Sequence, residues 1–188
     1  MANLESEVGV VRKVIAYELL SLDGVADRPD EFFFDFDDVM SDNLKRVIDH
    51  QDAVLLGRRT YDEWAAFWPP SDIEPFATFI NHVAKYVVSS TAMSADWANS
   101  SLLAGDPYTA VQELRERAGG DIGVHGSVSL TQSLLARGLV DELRLVVAPV
   151  LQGRGRKLFA GDAASRLSLT RSDVSPSGYL LLDYRFLR

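Results

Sequence analysis

Residues 54–64, VLLGRRTYDEW, pass abruptly from an apolar run of strand length to glycine, two arginines and a threonine. A strand closed by Gly57 and a helix begun near Thr60 would leave the N–H groups of residues 58 to 60 facing outward at the positive end of a helix dipole, where an anion binds readily. Arg58 and Arg59 add charge-assisted donors, a set that suits a dianionic phosphate monoester better than a neutral sugar hydroxyl. The alternative for the same residues is a solvated loop with Arg59 paired to Asp62 or Glu63 on the following helix. VHGSVSL (124–130) repeats the arrangement. There Gly126 lets a ligand approach the backbone, Ser127 either caps the helix or binds phosphate, and Val128 stands at the helix start. A third strand ends in VSST (88–91), so Ser89, Ser90 and Thr91 either serve an adenosine ribose or phosphate or mark an ordinary strand-to-loop transition. No G-x-G-x-x-G fingerprint is present, so an ordinary Rossmann site is not indicated.

Other stretches carry weaker chemistry. DEFFFDFDD (30–38) interleaves phenylalanines with acids, which could stack on a flat heterocycle or simply supply core and helix caps. LQGRGRKLF (151–159) is basic and glycine-rich and reads as a solvated turn. The histidines, His50, His82 and His125, lack ligand-like spacing, and cysteine is absent, so no metal site is expected. Nothing resembles a G-x-S-x-G nucleophile elbow.

The elements that would position these turns alternate along the chain. VRKVIAYELL (11–20) reads as a buried strand, and Met40, Leu44, Val47 and Ile48 recur at helical spacing through residues 37–50. DAVLLG (52–57) is a strand, TYDEWAAFW (60–68) a helix stopped by Pro69-Pro70, IEPFATFINHV (73–83) a helix and KYVVSS (85–90) a strand. Asp106 caps and Pro107 opens another helix with Ala110, Val111, Leu114 and Ala118 as its stripe and Gly119-Gly120 as its end. DIGVHG is then a strand, SVSLTQSLLARG a serine-capped helix and DELRLVVAPVL a strand; RLSLTRSDVS and YLLLDYRFL flank PSG as an antiparallel hairpin. This order predicts an α/β fold: a mainly parallel sheet with helices on both faces and an antiparallel hairpin at one edge.

At 188 residues, with 47% apolar and 24% charged side chains, one globular domain over 1–188 is expected. The net charge of −8 argues against a nucleic-acid footprint but leaves room for a small anion held by a few local donors. No run approaches the ~20 apolar residues of a membrane span. MANLESEVGV lacks the features of a leader peptide, which points to the cytoplasm.

Taken together and in order, SLDG after the first strand, LLGRRTYDEW, KYVVSST and residues 119–159 resemble the dihydrofolate reductase-like superfamily. They are most similar to the C-terminal reductase domain of the bifunctional riboflavin-biosynthesis deaminase-reductase, in stand-alone form. The likeness spans about residues 11–187, and the lack of cysteine excludes the deaminase zinc site. The resemblance implies an NADPH-dependent reductase of a C=N bond. In it Gly57, Arg58, Arg59 and Thr60 grip the cofactor phosphates, including the ribose 2′-phosphate. Ser89, Ser90 and Thr91 stand at the adenosine side, and Gly126, Ser127 and Val128 stand beside the pyrophosphate and nicotinamide. It also implies a carboxylate that protonates or orients the substrate. Counting back from Arg58 lands on Ser41 beside Asp42, with Asp38, Asp37 and Asp23 of SLDG as further candidates. The nearest activity in type is 5-amino-6-(5-phosphoribosylamino)uracil reductase; dihydrofolate reduction and a non-catalytic NADPH-binding dimer are the alternatives. A homodimer is expected from the resemblance and from the prevalence of twofold assemblies.

Overall fold

A computed structural model describes residues 11–103, 105–161 and 164–187. The stretch 1–10, read above for a leader, lies outside them. Eight strands form one sheet: β1 (Val14–Ser21), β2 (Gln51–Gly57), β3 (Ala84–Val88), β4 (Ser100–Leu103), β5 (Asp121–Val124), β6 (Glu142–Ala148), β7 (Leu167–Val174) and β8 (Leu180–Phe186). Their order is β4-β3-β2-β5-β1-β6-β8-β7. The first six strands in this order are parallel, and β8 and β7 close the edge antiparallel, as expected from the alternating pattern and the PSG turn.

Between the strands run α1 (Asp38–Ile48), α2 (Arg58–Phe67), α3 (Phe76–His82), α4 (Pro107–Glu116) and α5 (Val128–Ala136), with a 3₁₀ turn at Pro29–Glu31. Two apolar cores result, one on each face of the sheet. Met40, Leu44, Val47, Ile48, Tyr61, Phe76 and Ile80 cover one face, and Val111, Leu114, Val128, Leu130 and Leu134 cover the other. Strands covered on both sides need apolar side chains in both directions, which explains the unbroken run Ala53–Gly57. No helix among the described residues is long and apolar enough to cross a membrane.

Several boundaries differ from the sequence reading. α2 begins at Arg58 rather than near Thr60, so both arginines lie in its first turn. α4 ends at Glu116; Ala118 is exposed and belongs to no buried stripe. The glycines after it serve a close approach instead of a helix stop. A Cβ on Gly120 would lie 2.4 Å from the His50 carbonyl oxygen, and Asp121 N donates to that same oxygen. Asp52 accepts from Gly120 N and pairs with Arg12, whose Nε donates to Gly120 O, so one cluster ties the amino ends of β1, β2 and β5. β4 has no counterpart in the sequence pattern. Its four residues are polar or half-exposed at the sheet edge and carry no period. Lys85 is fully buried in β3, where its Nζ donates to Ile80 O and Val83 O and lies over the Trp97 ring, closing the end of α3.

The close approach at Gly120 is testable. Gly120→Ala should lower unfolding stability by roughly 1–3 kcal/mol, because the opposing atom is backbone and cannot swing aside. Urea denaturation should show a lower midpoint with an unchanged slope.

Candidate functional site

The carboxyl ends of β2 and β5 meet. Gly57 N donates to Gly126 O at 3.3 Å, and a Cβ on Gly57 would lie 2.4 Å from Ser127 Oγ. Gly126 has φ +115, a conformation suited to glycine, and is joined to Ser127 by a cis peptide bond. From this contact α2 starts directly after Gly57 and α5 two residues after Gly126, and the two helices diverge onto opposite faces of the sheet. Neither has a side-chain cap: Ser127 occupies the N-cap position of α5 but makes no capping bond, and Gly57 has no side chain to offer α2. By contrast Asp37 caps α1 through Met40 N, and Asp106 caps α4 through Thr109 N. The first-turn donors of α2 and α5 therefore have no capping side chain, and no acid stands in either first turn to repel an anion.

The sequence-predicted residues split around this pair of turns. Arg58, Ser89, Ser90 and Thr91 line one cavity of about 430 Å³ with Val88, Leu103, Gly105 and Pro107. Arg58 Nε bonds Asp62 at 2.6 Å, and Nη1 bonds Thr91 Oγ1 at 2.6 Å and the Ala92 carbonyl. The acid pairing expected of Arg59 thus belongs to Arg58, because a helix that starts at 58 places Asp62 one turn on. Arg58 is nonetheless oriented into the cavity, while Arg59 is exposed and makes no hydrogen bond or ion pair with the described residues. Ser89 Oγ folds back on Thr91, receiving its N–H and donating to its carbonyl, which shapes the turn and leaves Ser90 exposed. Thr60 packs its side chain toward Gly126. Leu103, the end of β4, and Gly105 beyond it line the cavity without any signal in the sequence. A second concavity of about 430 Å³, lined by Gly138, Arg166 and Phe186 among others, lies at the amino end of the parallel strands. It holds none of these turns.

Among the candidate carboxylates, Asp23 is a clamp. Its Oδ1 accepts from Ser21 Oγ and Gln152 N, and its Oδ2 from Gly153 N, fastening the loop after β6 to the end of β1. The Ser21 hydroxyl and these backbone donors hold its carboxyl down at about 2, so it is ionised at neutral pH and unsuited to donate a proton. Asp37 is committed to Met40 N and Ser177 N. Asp38 and Asp42 are exposed on α1, and Ser41 is half-buried there. In the DEFFFDFDD stretch Phe32 is core and Phe33 packs on Tyr179, whereas Phe34 and Phe36 are exposed.

Two buried titratable groups beside the turns escaped the sequence reading. His125, next to Gly126, packs against Tyr17, Phe76 and Phe79 and meets Gln51 Oε1 at 2.7 Å; burial pushes it down to about 3, so the ring is neutral. Glu18, in the middle of β1, is 6% exposed, and its Oε1 takes a 2.5 Å hydrogen bond from Thr131 Oγ1 on α5. Burial raises it to about 7, opposed only by that hydrogen bond. The signal was present as a lone acid inside VIAYELL, a central-strand run whose side chains are otherwise apolar or aromatic.

The family model of the RibD C-terminal domain matches residues 12–181. An uncharacterized protein of Bacillus subtilis, YyaP, is 30% identical over 167 residues, covering 84% of this chain and 85% of its own. Among solved structures, a diaminohydroxyphosphoribosylaminopyrimidine deaminase/5-amino-6-(5-phosphoribosylamino)uracil reductase from Thermotoga maritima superposes with TM-score 0.68 at 15% identity, over 94% of this chain and 57% of that longer one. Dihydrofolate reductase from Enterococcus faecalis superposes with TM-score 0.59 at 12% identity, over 94% and 97%. At such identities these two likenesses establish the fold, which is dihydrofolate reductase-like.

The Glu18 environment predicts a pH-dependent stability without added ligand. A carboxyl raised to about 7 in the folded state binds its proton more tightly there than in the unfolded chain. The wild type should therefore lose stability as pH rises from its ordinary value through 7. Glu18→Gln removes that loss, so the variant should gain about 1–3 kcal/mol on the wild type between pH 5 and pH 8.5, read by urea denaturation at both pH values. A difference independent of pH would contradict the assignment.

Proposed function

Because the chain belongs to the RibD C-terminal domain family, we propose that it is an NADPH-dependent reductase of a C=N bond in a heterocyclic or aminosugar substrate, nearest in type to 5-amino-6-(5-phosphoribosylamino)uracil reductase. The observation that carries this reading is the junction of Gly57 and Gly126, which sets two uncapped helix starts side by side next to the Arg58–Thr91 cavity. The donor set fits a dinucleotide. Two clusters of free N–H groups suit a pyrophosphate, and arginines in the first turn of α2 suit a further phosphate.

In this reading Gly57, Thr60, Gly126, Ser127 and Val128 hold the pyrophosphate by backbone approach. Arg58 and Arg59 read the 2′-phosphate, and Ser89, Ser90 and Thr91 border the adenosine. Arg58 reaches the ligand already oriented by Asp62 and Thr91, which reduces the entropy lost on binding. A nicotinamide cofactor bound there supplies the hydride. The protein's part is to hold the acceptor at ~3–3.5 Å and exclude water. With Asp23 committed to Ser21, Gln152 and Gly153, Asp38 and Asp42 are the carboxylates of α1 left to orient or protonate a substrate.

Two measurements test this. NADPH consumption, followed by absorbance, should be supported by 5-amino-6-(5-phosphoribosylamino)uracil in preference to dihydrofolate. In thermal shift, a cofactor at one hundred times its dissociation constant adds ~2.7 kcal/mol. NADPH should stabilise more than NADH at equal concentration, and replacing Arg58 and Arg59 together by alanine should erase that preference. Equal stabilisation by the two cofactors before mutation would refute the 2′-phosphate assignment.

A further inference from the structure

Pairing between β1 and β5 stops at Ala16 and Val124, yet β1 runs on to Ser21 beside β6 alone. A wedge therefore opens between the unpaired edge of β1 and the His125–Gly126–Ser127 turn. Glu18 lies on this free stretch of β1. It belongs to the face covered by α5, and Thr131 links it to the first turn of that helix, since Thr131 N also donates to Ser127 O. Glu18 Oε2 takes no partner among the described residues, and it is not one of the fully enclosed polar atoms that lack a partner. The carboxyl is therefore not fully enclosed.

A buried carboxylate ordinarily needs a cation beside it. None is supplied among the described residues. α5 carries no charged residue between Val128 and Ala136. On β5, His125 is neutral, and Asp121 stands at the far end of the strand. On β6, Glu142 pairs with Lys13 and Arg144. On the loop after β6, Arg156 is exposed and engages Ser129 Oγ. Tyr17 belongs to the core on the opposite face of the sheet. The missing counter-charge is of a kind the proposed reaction generates. A reduced nicotinamide bound there would pass hydride from C4, with the electrons of its C–H bond, to the carbon of the C=N group. The nitrogen would take a proton from a carboxyl of α1 or from solvent, and the neutral dihydropyridine would become a pyridinium cation.

Resting on the cofactor reading above, we propose that Glu18 is a positioning residue that supplies the counter-charge for the oxidised nicotinamide, binding the cationic ring more tightly than the reduced one. Thr131 aims the carboxylate by donating to Oε1. A carboxylate in a low-dielectric site acts more strongly than one in water, so it favours the charge that develops as hydride departs.

The test measures dissociation constants of NADP⁺ and NADPH, by calorimetry, from pH 5.5 to 8.5. The ratio of the two cancels the titration of the 2′-phosphate, which both share. In the wild type, NADP⁺ should gain on NADPH by about tenfold or more as pH rises through the Glu18 titration. Glu18→Gln should flatten the ratio, and Thr131→Val, which keeps the carboxyl but removes its donor, should move the midpoint to higher pH. A wild-type ratio independent of pH, or a pH dependence that survives in Glu18→Gln, overturns the proposal while leaving the cofactor reading intact. Failure of the wild type to bind either cofactor at any pH overturns that reading and this inference with it.

Discussion

The close contact of two backbones at Gly57 and Gly126 governs the site. A side chain on Gly57 would displace the Ser127 hydroxyl and crowd its Cβ, so the bare position eases the approach of the carboxyl ends of β2 and β5. That approach makes α2 and α5 start beside one another, and the absence of side-chain caps leaves their first-turn donors unspent. Each feature taken alone is ordinary, since glycine turns and uncapped helix starts occur in many folds. Their coincidence concentrates positive potential at one place on a chain of net charge −8. A parallel sheet directs such turns to the same end, and so the cavity with Arg58, the serines and Thr91 adjoins them.

The opposite end of the sheet answers a different demand. Arg12, Asp52 and Gly120 fasten the amino ends of β1, β2 and β5, and that fastening fixes the register that the ligand end inherits. β1 then serves two purposes. Its first half is paired on both sides and holds the core together, while its second half has lost β5 and borders the wedge. Asp23 closes this half by clamping the loop after β6, and Glu18 lines it. Two acids in one short segment thus have opposite characters. Asp23 is saturated with donors and stays ionised, whereas Glu18 has one hydroxyl and an apolar surround, and its proton is easily kept.

Much of this architecture was legible in the sequence because its signals agree locally. Asp106-Pro107 opens a capped helix, the Ala53–Gly57 run is apolar on both faces, and the PSG turn joins the closing hairpin. What escaped was set by tertiary context. β4 is four edge residues without a period, and nothing short of its partner β3 identifies it. Lys85 and Glu18 read as charges in strands, and only the positions of α3 and α5 reveal that both are buried. The start of α2 moved by a fraction of a turn, enough to hand the Asp62 pairing from Arg59 to Arg58. At the site, spacing located the two glycine turns and the serines and threonine that line the cavity with Arg58. It could not rank the carboxylates, because their roles depend on which donors reach them from distant loops.

The account's central claim is that Gly57 and Gly126 hold a dinucleotide's phosphates between two helix starts. Backbone amide shifts recorded during a titration with NADPH test it most directly. The account predicts that the largest changes fall on residues 57–60 and 126–130, with smaller ones at 88–91 and 103–106. Changes centred instead on the concavity of Gly138, Arg166 and Phe186, with the glycine turns unmoved, would contradict it.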